Sequence, residues 1–304
     1  MFKLFTAPTE MFTIAGSSYD IDNSSTAFIM YDHFKSGEIN VRLDNKCLML
    51  LHGLTQGNVL DLVWNYELGD EFVLPLIVDA IKQSGFNIAD INLMVPYVPY
   101  ARQDRVCNTG ESFAIKILTQ MINELGFKSV ITWDNHSDVS TALFNNVHNW
   151  SKSDIFGFSI ITSSTKFWKD KTLIAPDAGS EKSVLKLAFD LNLPFVQALK
   201  QRDLKTHEIT KTMFICNPDD INGKDLLIVD DICDGGRTFV NLAKEIKSKY
   251  TPKSISLYIT HGIFTYGLEQ IFDGSFIDHV YVANLMNRSQ HVLACPKLTT
   301  VFDV

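Results

Sequence analysis

The feature that most restricts the fold of this chain is the alternation of short apolar runs with longer stretches of helical periodicity. Seven runs are typical of buried strands, at 46–51, 91–95, 129–133, 172–175, 226–229, 254–259 and 280–283. Continuous apolar strands separated by amphipathic helices form parallel sheets that helices cover on both faces. The sequence therefore predicts an α/β protein built on mainly parallel sheets.

Three of the intervening stretches carry apolar residues at helical spacing. These residues are Phe113, Ile117, Met121 and Ile122 before Gly126, then Val184, Leu187, Ala188 and Leu191, and finally Phe239, Leu242, Ala243 and Ile246. Each set shares one face of a helix, which predicts three helices that pack on a sheet.

The pattern of strands and helices runs twice along the chain, once on each side of a polar stretch at 145–154. A chain of 304 residues is long enough for two domains, because single cores rarely grow past roughly 250–300 residues. We therefore expect domains at 1–147 and 148–304, and we leave open that the last residues return to the first domain.

Composition narrows the classes of function. The formal net charge is −8 and no long basic run is present, so we expect no nucleic-acid partner. No apolar run reaches the roughly 18 residues of a membrane span, and the N-terminus lacks the pattern of a signal peptide. The five cysteines are odd in number and widely spaced, which is typical of reduced thiols. We therefore expect a cytoplasmic protein without a membrane partner.

Chemistry is expected at the carboxyl ends of the strands, where open α/β sheets bind their ligands. The run at 226–229 is followed by Asp-Asp-Ile-Cys-Asp-Gly-Gly-Arg-Thr at 230–238 and then by a predicted helix. Glycines let the backbone approach a phosphate, and the helix N-terminus offers it free N–H groups. The paired carboxylates suit ribose hydroxyls or a metal. Adjacent acids before a glycine turn are also common as solvated turn residues, but their place between a buried strand and an amphipathic helix favours a functional loop.

Three further loops follow predicted strands. Asp177 lies in a Pro-Asp-Ala-Gly segment, where it suits either a ligand site or a simple helix cap. His136 follows another strand, where it suits a structural role, a phosphate or a metal. Arg102 and Arg105 lie in a proline-stiffened loop, and guanidinium groups match the oxygens of a phosphate.

The combination of these motifs resembles the ribose-phosphate pyrophosphokinase family, also called the PRPP synthetases. The shared motifs are Pro-Tyr-x-x-Tyr-Ala-Arg-Gln-Asp-Arg at 96–105, Asp-x-His at 134–136, Pro-Asp-x-Gly at 176–179 and Val-Asp-Asp at 229–231. The first motif is highly specific, whereas the Asp-Asp loop is shared with type I phosphoribosyltransferases. The resemblance implies two type I phosphoribosyltransferase-like domains. It also implies an enzyme that moves the β,γ-diphosphate of ATP to the C1 hydroxyl of ribose 5-phosphate, giving PRPP and AMP.

The resemblance further implies a role for each matching residue. ATP would contact Phe34, Ser36, Glu38, Arg102, Gln103 and Asp104. The ribose phosphate would contact Asp230, Asp231, Asp234, Gly235, Gly236, Arg237 and Thr238. His136 and Asp177 would hold Mg²⁺ together with the phosphates of ATP, and catalysis would involve His136 and a mobile loop carrying Lys200 and Arg202. The family also implies a homo-oligomer, either a dimer or a hexamer.

Two departures from the family pattern affect the expected ligands. Ser36 replaces the aspartate of the usual Phe-x-Asp-Gly-Glu loop, so the resemblance implies that one contact to adenine would be weaker. The acceptor loop reads Asp-Gly-Gly-Arg-Thr at 234–238 instead of Asp-Thr-x-Gly-Thr, so it has more room and one more cation. A larger, more positive pocket suits a diphosphate. ADP-ribose carries a 5'-diphosphate on a ribose with a free C1 hydroxyl, so it is an alternative acceptor. Its product, ADP-ribose pyrophosphate, would serve NAD resynthesis.

Two rival functions belong to other classes. A phosphoribosyltransferase that consumes PRPP would need only one such domain and no Arg-Gln-Asp-Arg loop. A non-catalytic, regulatory relative of the synthetase would be expected to lose the acid pair or the cations, yet Lys200, Arg202, Asp230 and Asp231 are all present. Release of AMP from ATP on addition of an acceptor separates both rivals from the main hypothesis.

Overall fold

The computed structural model of the chain contains two sheets of seven strands each. It describes residues 2–8, 26–53, 60–66, 69–162, 166–202 and 209–302. The strands of the first sheet are β1 (Phe2–Pro8), β2 (Thr26–His33), β3 (Ile39–Arg42), β4 (Leu60–Val63), β5 (Ile91–Val95), β6 (Ser129–Trp133) and β7 (Val147–Trp150). Those of the second are β8 (Lys171–Ala175), β9 (Phe195–Arg202), β10 (Ile209–Ile215), β11 (Asp225–Cys233), β12 (Ser254–Gly262), β13 (His279–Leu285) and β14 (Leu298–Thr300).

Helices connect the strands within each half of the chain. In the first half they are α1 (Asn45–His52), α2 (Val73–Gln83), α3 (Ala114–Leu125) and α4 (Asp138–Leu143). In the second half they are α5 (Lys152–Thr162), α6 (Glu181–Leu191), α7 (Arg237–Lys249), α8 (Glu269–Phe272) and α9 (Gln290–Leu293). None of the helices in the described ranges combines the length and the apolar character that a membrane crossing requires.

The two sheets have the same strand order. The first runs β3-β2-β1-β4-β5-β6-β7 and the second runs β10-β9-β8-β11-β12-β13-β14. In each, the inner strands are parallel and the strand at one edge is antiparallel to its neighbour, β3 beside β2 and β10 beside β9. A mainly parallel sheet brings the carboxyl ends of its strands to one edge, where ligands bind.

Each half of the chain has its own hydrophobic core. The two compact units comprise residues 1–149 and 150–304. Leu62, Ile77 and Ile115 are buried in the first core, while Ile228, Leu242 and Leu257 are buried in the second. Because β14 pairs with β13, residues 298–300 belong to the second sheet and do not return to the first.

Most of the predicted elements agree with the structure. The runs at 91–95 and 129–133 coincide with β5 and β6, and the other four runs of the second half lie within β8, β11, β12 and β13. In α7 the predicted apolar face is buried throughout, and in α6 Val184, Leu187 and Ala188 are buried as predicted.

Two predictions about the first half are wrong. The run at 46–51 is helix α1 instead of a strand, because Asp44 caps it by accepting a hydrogen bond from the Cys47 N–H at 2.8 Å. In α3 the buried face consists of Ile115, Leu118, Thr119 and Ile122, and Ile117 is 62% exposed. Gly126 ends α3 as predicted, at a φ of 86° in the left-handed region.

Candidate active site

Three segments of the first unit meet the carboxyl edge of its sheet. The turn at 34–38 follows β2, the loop at 96–105 follows β5, and residues 134–136 follow β6. The second and third are joined directly, because the Trp133 N–H donates to the Pro96 carbonyl at 3.2 Å. The parallel order of the strands therefore gathers the candidate ATP residues of this unit at one edge.

The turn at 34–38 presents exposed side chains on a tight backbone. The Phe34 N–H donates to the Glu38 carbonyl and the Gly37 N–H to the Phe34 carbonyl, both at 2.8 Å. Gly37 has a φ of 90°, which a residue without a Cβ adopts at no steric cost. Phe34, Ser36 and Glu38 are all exposed, and the Ser36 hydroxyl donates to the Glu38 carboxylate at 2.8 Å.

The loop at 96–105 turns sharply at Tyr100. Tyr100 has a φ of 61°, an unusual value for a residue with a side chain, and its carbonyl accepts from the Gln103 N–H at 2.8 Å. Arg102 and Gln103 are exposed beyond this turn. They line a pocket of about 340 Å³ together with Asp104, Arg105, Cys107, Glu111 and Ser112.

Asp104 differs from its neighbours in this loop because it is buried. Arg105 donates to both of its oxygens, at 2.7 and 3.0 Å. These hydrogen bonds, with the charges of Arg105 and His136, outweigh burial and lower the pKa of Asp104 to about 2. The carboxylate therefore holds Arg105 within the pocket wall.

His136 is exposed beside a second strained turn. Asp134 has a φ of 42° and is buried, and the Asn135 N–H donates to the Asn149 side chain at 3.3 Å. Non-glycine residues persist in the left-handed region only when the surroundings hold them there, and they cluster at functional sites. Both Tyr100 and Asp134 satisfy this description.

In the second unit, two acidic loops leave adjacent strands. β8 and β11 are parallel neighbours, and Asp177 follows β8 while Asp230 and Asp231 lie near the end of β11. Burial, the charge of Asp231 and the charge of Asp177 raise the pKa of Asp230 well above its usual range, against the opposing effect of Lys152. The three carboxylates are therefore close enough to repel one another.

Sequence reasoning did not identify Lys152 as part of this cluster. Lys152 is buried, with only 5% of its surface exposed, at the start of α5. A recognisable signal was present, because Ile155 and Phe156 lie three and four residues further along the helix and are also buried. A lysine on the apolar face of a helix indicates a buried partner.

The acceptor loop joins β11 to α7 through two glycines. Gly236 has a φ of 72°, and a Cβ there would lie 2.3 Å from Cγ1 of Ile271. A Cβ on Gly235 would lie 3.8 Å from the ring of Tyr266, an exposed side chain that the sequence did not single out. Asp234 accepts from the Thr265 N–H at 3.1 Å, so this carboxylate holds the loop at 263–267. Arg237 and Thr238 are exposed at the start of α7.

The predicted catalytic pair lies on the β9–β10 hairpin. The backbone of Lys200 is opposite Thr212 and that of Arg202 is opposite Ile209, in an antiparallel pairing. The expected mobile loop is thus strand at these two positions, because the hairpin extends β9 beyond the end of β8. The side chains of Lys200 and Arg202 lie outside the described residues.

The side chains that follow the strands determine whether these loops suit a metal ion. Asp177 Oδ1 accepts from the N–H groups of Gly179 and Ser180, at 3.0 and 3.2 Å, so part of this carboxylate caps a turn. In the described ranges, no three His, Cys, Asp or Glu side chains are grouped so that they could hold a metal alone. Mg²⁺ commonly takes one or two carboxylates and completes its shell with water and substrate phosphates. The repelling carboxylates around Asp230 fit that pattern.

Two family models and several curated proteins are similar to this chain. Residues 65–126 match the N-terminal domain of ribose phosphate pyrophosphokinase, and residues 198–304 match the phosphoribosyl synthetase-associated domain. The ribose-phosphate pyrophosphokinase of Mycoplasma genitalium is 30% identical over 271 residues, which cover 86% of this chain and 76% of that protein. Ribose-phosphate pyrophosphokinase 3 of Saccharomyces cerevisiae is 27% identical over 229 residues, 75% of this chain and 70% of the relative.

The fold is also that of a solved structure. The phosphoribosylpyrophosphate synthetase from Mycobacterium smegmatis superposes with a TM-score of 0.74 at 19% identity, covering 99% of this chain and 94% of that one. This likeness confirms the predicted fold class. Taken with the sequence relatives, it leads to one conclusion: the chain belongs to the ribose-phosphate pyrophosphokinase family.

Proposed function

We propose that this chain is a ribose-phosphate pyrophosphokinase, which transfers the β,γ-diphosphate of ATP to the C1 hydroxyl of ribose 5-phosphate. The observation that carries the proposal is the division of the motifs between two units of one chain. The arginine loop with its pocket belongs to the first unit, and the acidic glycine loop belongs to the second. An enzyme that transfers a diphosphate from a nucleotide to a sugar phosphate needs a binding loop for each of the two substrates.

The acceptor is assigned to the loop at 230–238. Asp230 and Asp231 would bind the ribose hydroxyls, because carboxylates accept hydrogen bonds from vicinal hydroxyls. The backbone N–H groups at 235–238 would bind the 5-phosphate, since they begin α7 and have no partners within that helix. Gly235 and Gly236 leave the space that this contact requires. Asp234 would shape the loop through Thr265.

ATP is assigned to the first unit. Phe34 would pack on the adenine, with Ser36 and Glu38 near its polar edge, because all three are exposed on one turn. Arg102 and Gln103 would bind the phosphates from the wall of the 340 Å³ pocket. Asp104 is buried against Arg105, so we assign it to the shape of the pocket.

Mg²⁺ is proposed to bind together with the phosphates of ATP. His136 of the first unit and Asp177 of the second are the candidate protein ligands, and Asp230 adds negative charge close to Asp177. When bound, Mg²⁺ would neutralise charge on the phosphates and raise the electrophilicity of the β-phosphorus.

The reaction forms one bond and breaks one bond. The C1 oxygen attacks the β-phosphorus, the bond from this phosphorus to the α–β bridging oxygen breaks, and AMP leaves. The hydroxyl proton is released to solvent. Lys200, Arg202 and Arg102 would stabilise the growing charge on the phosphate oxygens.

Lys200→Ala is therefore expected to lower kcat by two or more orders of magnitude while the KM for ATP changes little.

The proposal also covers the cellular compartment and the oligomeric state of the protein. We assign the protein to the cytoplasm, which is supported by five cysteines that are all free thiols. We expect a homo-oligomer, a dimer or a hexamer, which light scattering coupled to gel filtration would determine.

The test is an assay of the products. The protein is incubated with ATP, Mg²⁺ and either ribose 5-phosphate or ADP-ribose, and mass spectrometry identifies the products. PRPP and AMP formed in equal amounts from ribose 5-phosphate would support the proposal, and Lys200→Ala is the control for contaminating activity. A much faster reaction with ADP-ribose would support the proposed diphosphate transfer but would show that ADP-ribose is the acceptor. Absence of AMP with both acceptors would overturn the proposed function.

A further inference from the structure

Tyr266 is an exposed aromatic residue beside the acceptor loop, and it has no role in the chemistry proposed above. It lies between β12 and α8, with 68% of its surface exposed. Its ring is the nearest neighbour of the side chain that Gly235 lacks, because a Cβ there would lie 3.8 Å from Cδ2 of Tyr266. Single exposed apolar residues are common on protein surfaces, so a role for Tyr266 depends on what holds it in place.

The turn at 263–267, which carries this ring, is fixed to the strand that leads into the acceptor loop. The Ile263 N–H donates to the Cys233 carbonyl at 2.8 Å, and the Thr265 N–H donates to the Asp234 carboxylate at 3.1 Å. Cys233 is the last residue of β11, and Asp234 directly follows it in the acceptor loop. These hydrogen bonds therefore fix the turn next to the acceptor loop.

Phe264 holds the same turn from the side of the core. It is completely buried, and its backbone is in the left-handed region at a φ of 46°. Its carbonyl accepts from the Asn287 side chain at 2.7 Å and from the Gly267 N–H at 2.9 Å. Its ring packs against Gly262, where a Cβ would lie 2.3 Å from Cε2 of the ring. Strained backbone of this kind persists where the surroundings hold it, and it clusters at functional sites.

Gly235 leaves the ring of Tyr266 accessible from the acceptor loop. Its φ lies outside the left-handed region, and a Cβ would make only an ordinary contact with the ring. The backbone therefore does not require glycine here, but a side chain longer than that of alanine would lie against the ring. Glycine at this position keeps a space open between the acceptor loop and Tyr266.

Arg237 supplies a cation close to this space. It is exposed at the first residue of α7, two positions after Gly235. The first phosphate of an acceptor is assigned to the N–H groups at 235–238, so the guanidinium group suits a second phosphate. The ring of Tyr266 offers a flat surface, on which a base can stack. A cation and an exposed ring beside one phosphate loop fit the diphosphate and the base of a nucleoside diphosphate.

We propose that Tyr266 is a specificity-determining residue, which stacks on the base of an acceptor whose ribose carries a nucleoside diphosphate at its 5-position, as in ADP-ribose. The proposal rests on the proposed diphosphate transfer, and it extends the acceptors from ribose 5-phosphate to a longer molecule of the same ribose. The chemistry is the same for both. The C1 oxygen of the ribose attacks the β-phosphorus of ATP, the bond from this phosphorus to the α–β bridging oxygen breaks, AMP leaves, and the hydroxyl proton is released to solvent.

Two substitutions at position 266 test the role of the ring. Tyr266→Ala removes the ring, while the hydrogen bonds that hold the turn are made by other residues and remain. Tyr266→Phe is the matched control, because it keeps the ring and removes only the hydroxyl. The side chain is exposed, so we expect both variants to fold, and circular dichroism checks this.

The experiment measures kcat and KM for ADP-ribose and for ribose 5-phosphate at saturating ATP and Mg²⁺. Mass spectrometry identifies AMP and the diphosphorylated acceptor. The wild type is expected to use both acceptors. Tyr266→Ala should lower the ratio of kcat/KM for ADP-ribose to that for ribose 5-phosphate about tenfold, as the loss of one base–aromatic stack predicts. The change should lie in the KM for ADP-ribose, because the ring does not contact the reacting atoms. Tyr266→Phe should keep the wild-type ratio within about twofold.

The outcomes separate this proposal from the proposed function. A ratio that is the same in the wild type and in Tyr266→Ala would overturn the role of Tyr266. An equal loss in Tyr266→Phe would also overturn it, because the hydroxyl and not the ring would then be responsible. If the wild type uses ribose 5-phosphate but not ADP-ribose, this proposal is wrong and the proposed function stands. If it releases AMP with neither acceptor, both are wrong.

Discussion

At the scale of single residues, the backbone conformation and packing of the acceptor loop require glycine at position 236. The backbone there is left-handed, and a Cβ would overlap the buried side chain of Ile271, which packs from α8. Neighbouring Gly235 has neither restriction, since its nearest contact would be an ordinary one at 3.8 Å. Two consecutive glycines in the sequence therefore have different physical reasons to be glycine.

Alanine substitutions at these two positions should differ in stability. We expect Gly236→Ala to lower the free energy of unfolding by about 2 kcal/mol or more, from left-handed strain plus the overlap with Ile271. Gly235→Ala should change it by less than about 1 kcal/mol. Urea denaturation followed by circular dichroism measures both. Equal effects of the two substitutions would contradict this account of the loop.

Cys107 offers a direct probe of the proposed nucleotide pocket. It is exposed and lines the same pocket as Arg102, whereas Cys47 and Cys233 are buried. ATP at about ten times its Kd should slow alkylation of Cys107 about tenfold, because only the empty fraction reacts. Peptide mass mapping after timed alkylation gives the rate, and Cys107→Ser identifies the modified site. A rate that ATP does not change would place the nucleotide elsewhere.

At the scale of elements, apolar composition alone did not separate strand from helix. The run at 46–51 contains five apolar residues and no internal break, which fits a buried strand as well as a helix. Asp44 decides the outcome as an N-cap, and the buried positions Cys47, Leu50 and Leu51 then follow helical spacing. The strands β1 to β4, β7, β9, β10 and β14 were also missed, because β1, β2, β9 and β10 carry polar residues and the others are only three or four residues long.

The start of β13 has a pH-dependent contribution to stability. His279 lies 2.8 Å from the Thr299 hydroxyl of β14, and burial together with the charge of Lys171 lowers the pKa of His279. The unfolded histidine titrates near about 6.5, so it takes up a proton before the folded one does. Protonation then favours unfolding. This contribution is complete above pH 6.5 and is lost as the pH falls through the lower, folded-state pKa.

Comparison with His279→Gln isolates that effect. The free energy of unfolding of the wild type relative to the variant should decrease between pH 7.5 and pH 5, because glutamine does not titrate. Urea titrations at several pH values provide the measurement. A difference that stays constant across this range would assign His279 a purely structural role.

At the scale of the whole molecule, each unit carries the means to fold alone. The cores at Leu62 and at Ile228 belong to separate clusters, and the boundary lies between capped elements. β7 ends at Trp150, and Ser151 begins the cap of α5, where its hydroxyl and N–H both donate to Asp154 at 2.6 and 2.9 Å. A cut between Trp150 and Ser151 leaves both elements intact.

We therefore expect fragments 1–150 and 151–304 to fold independently. Each should unfold in one cooperative transition in urea, because each retains a complete seven-stranded sheet. Neither alone should release AMP from ATP, since the proposed nucleotide and acceptor loops are then on different molecules. Circular dichroism and the AMP assay provide the measurements. A fragment without a cooperative transition would show that the units depend on each other.

Sequence reasoning could name the residues of the candidate site, but it missed strands in both halves of the fold. The motifs at 96–105 and 229–238 are local, so their residues could be named without any knowledge of packing. The partners of those residues are distant in the chain. Glu71 is 29 residues from Tyr100, and Lys152 precedes Asp230 by about half the length of the second unit, so only the folded sheets bring them together.

The shared strand order of the two sheets has a consequence for the history of the chain. Equal topology in both halves is what the duplication of a half-length gene produces, and β4 then corresponds to β11. Where β11 carries Asp230 and Asp231, β4 is followed by Trp64, Asn65 and Tyr66. Two identical subunits cannot change one site without changing the other, because one gene encodes both. Fusion of two copies into a single chain removes that constraint, so an acid pair in one half can be kept while the corresponding positions of the other half change.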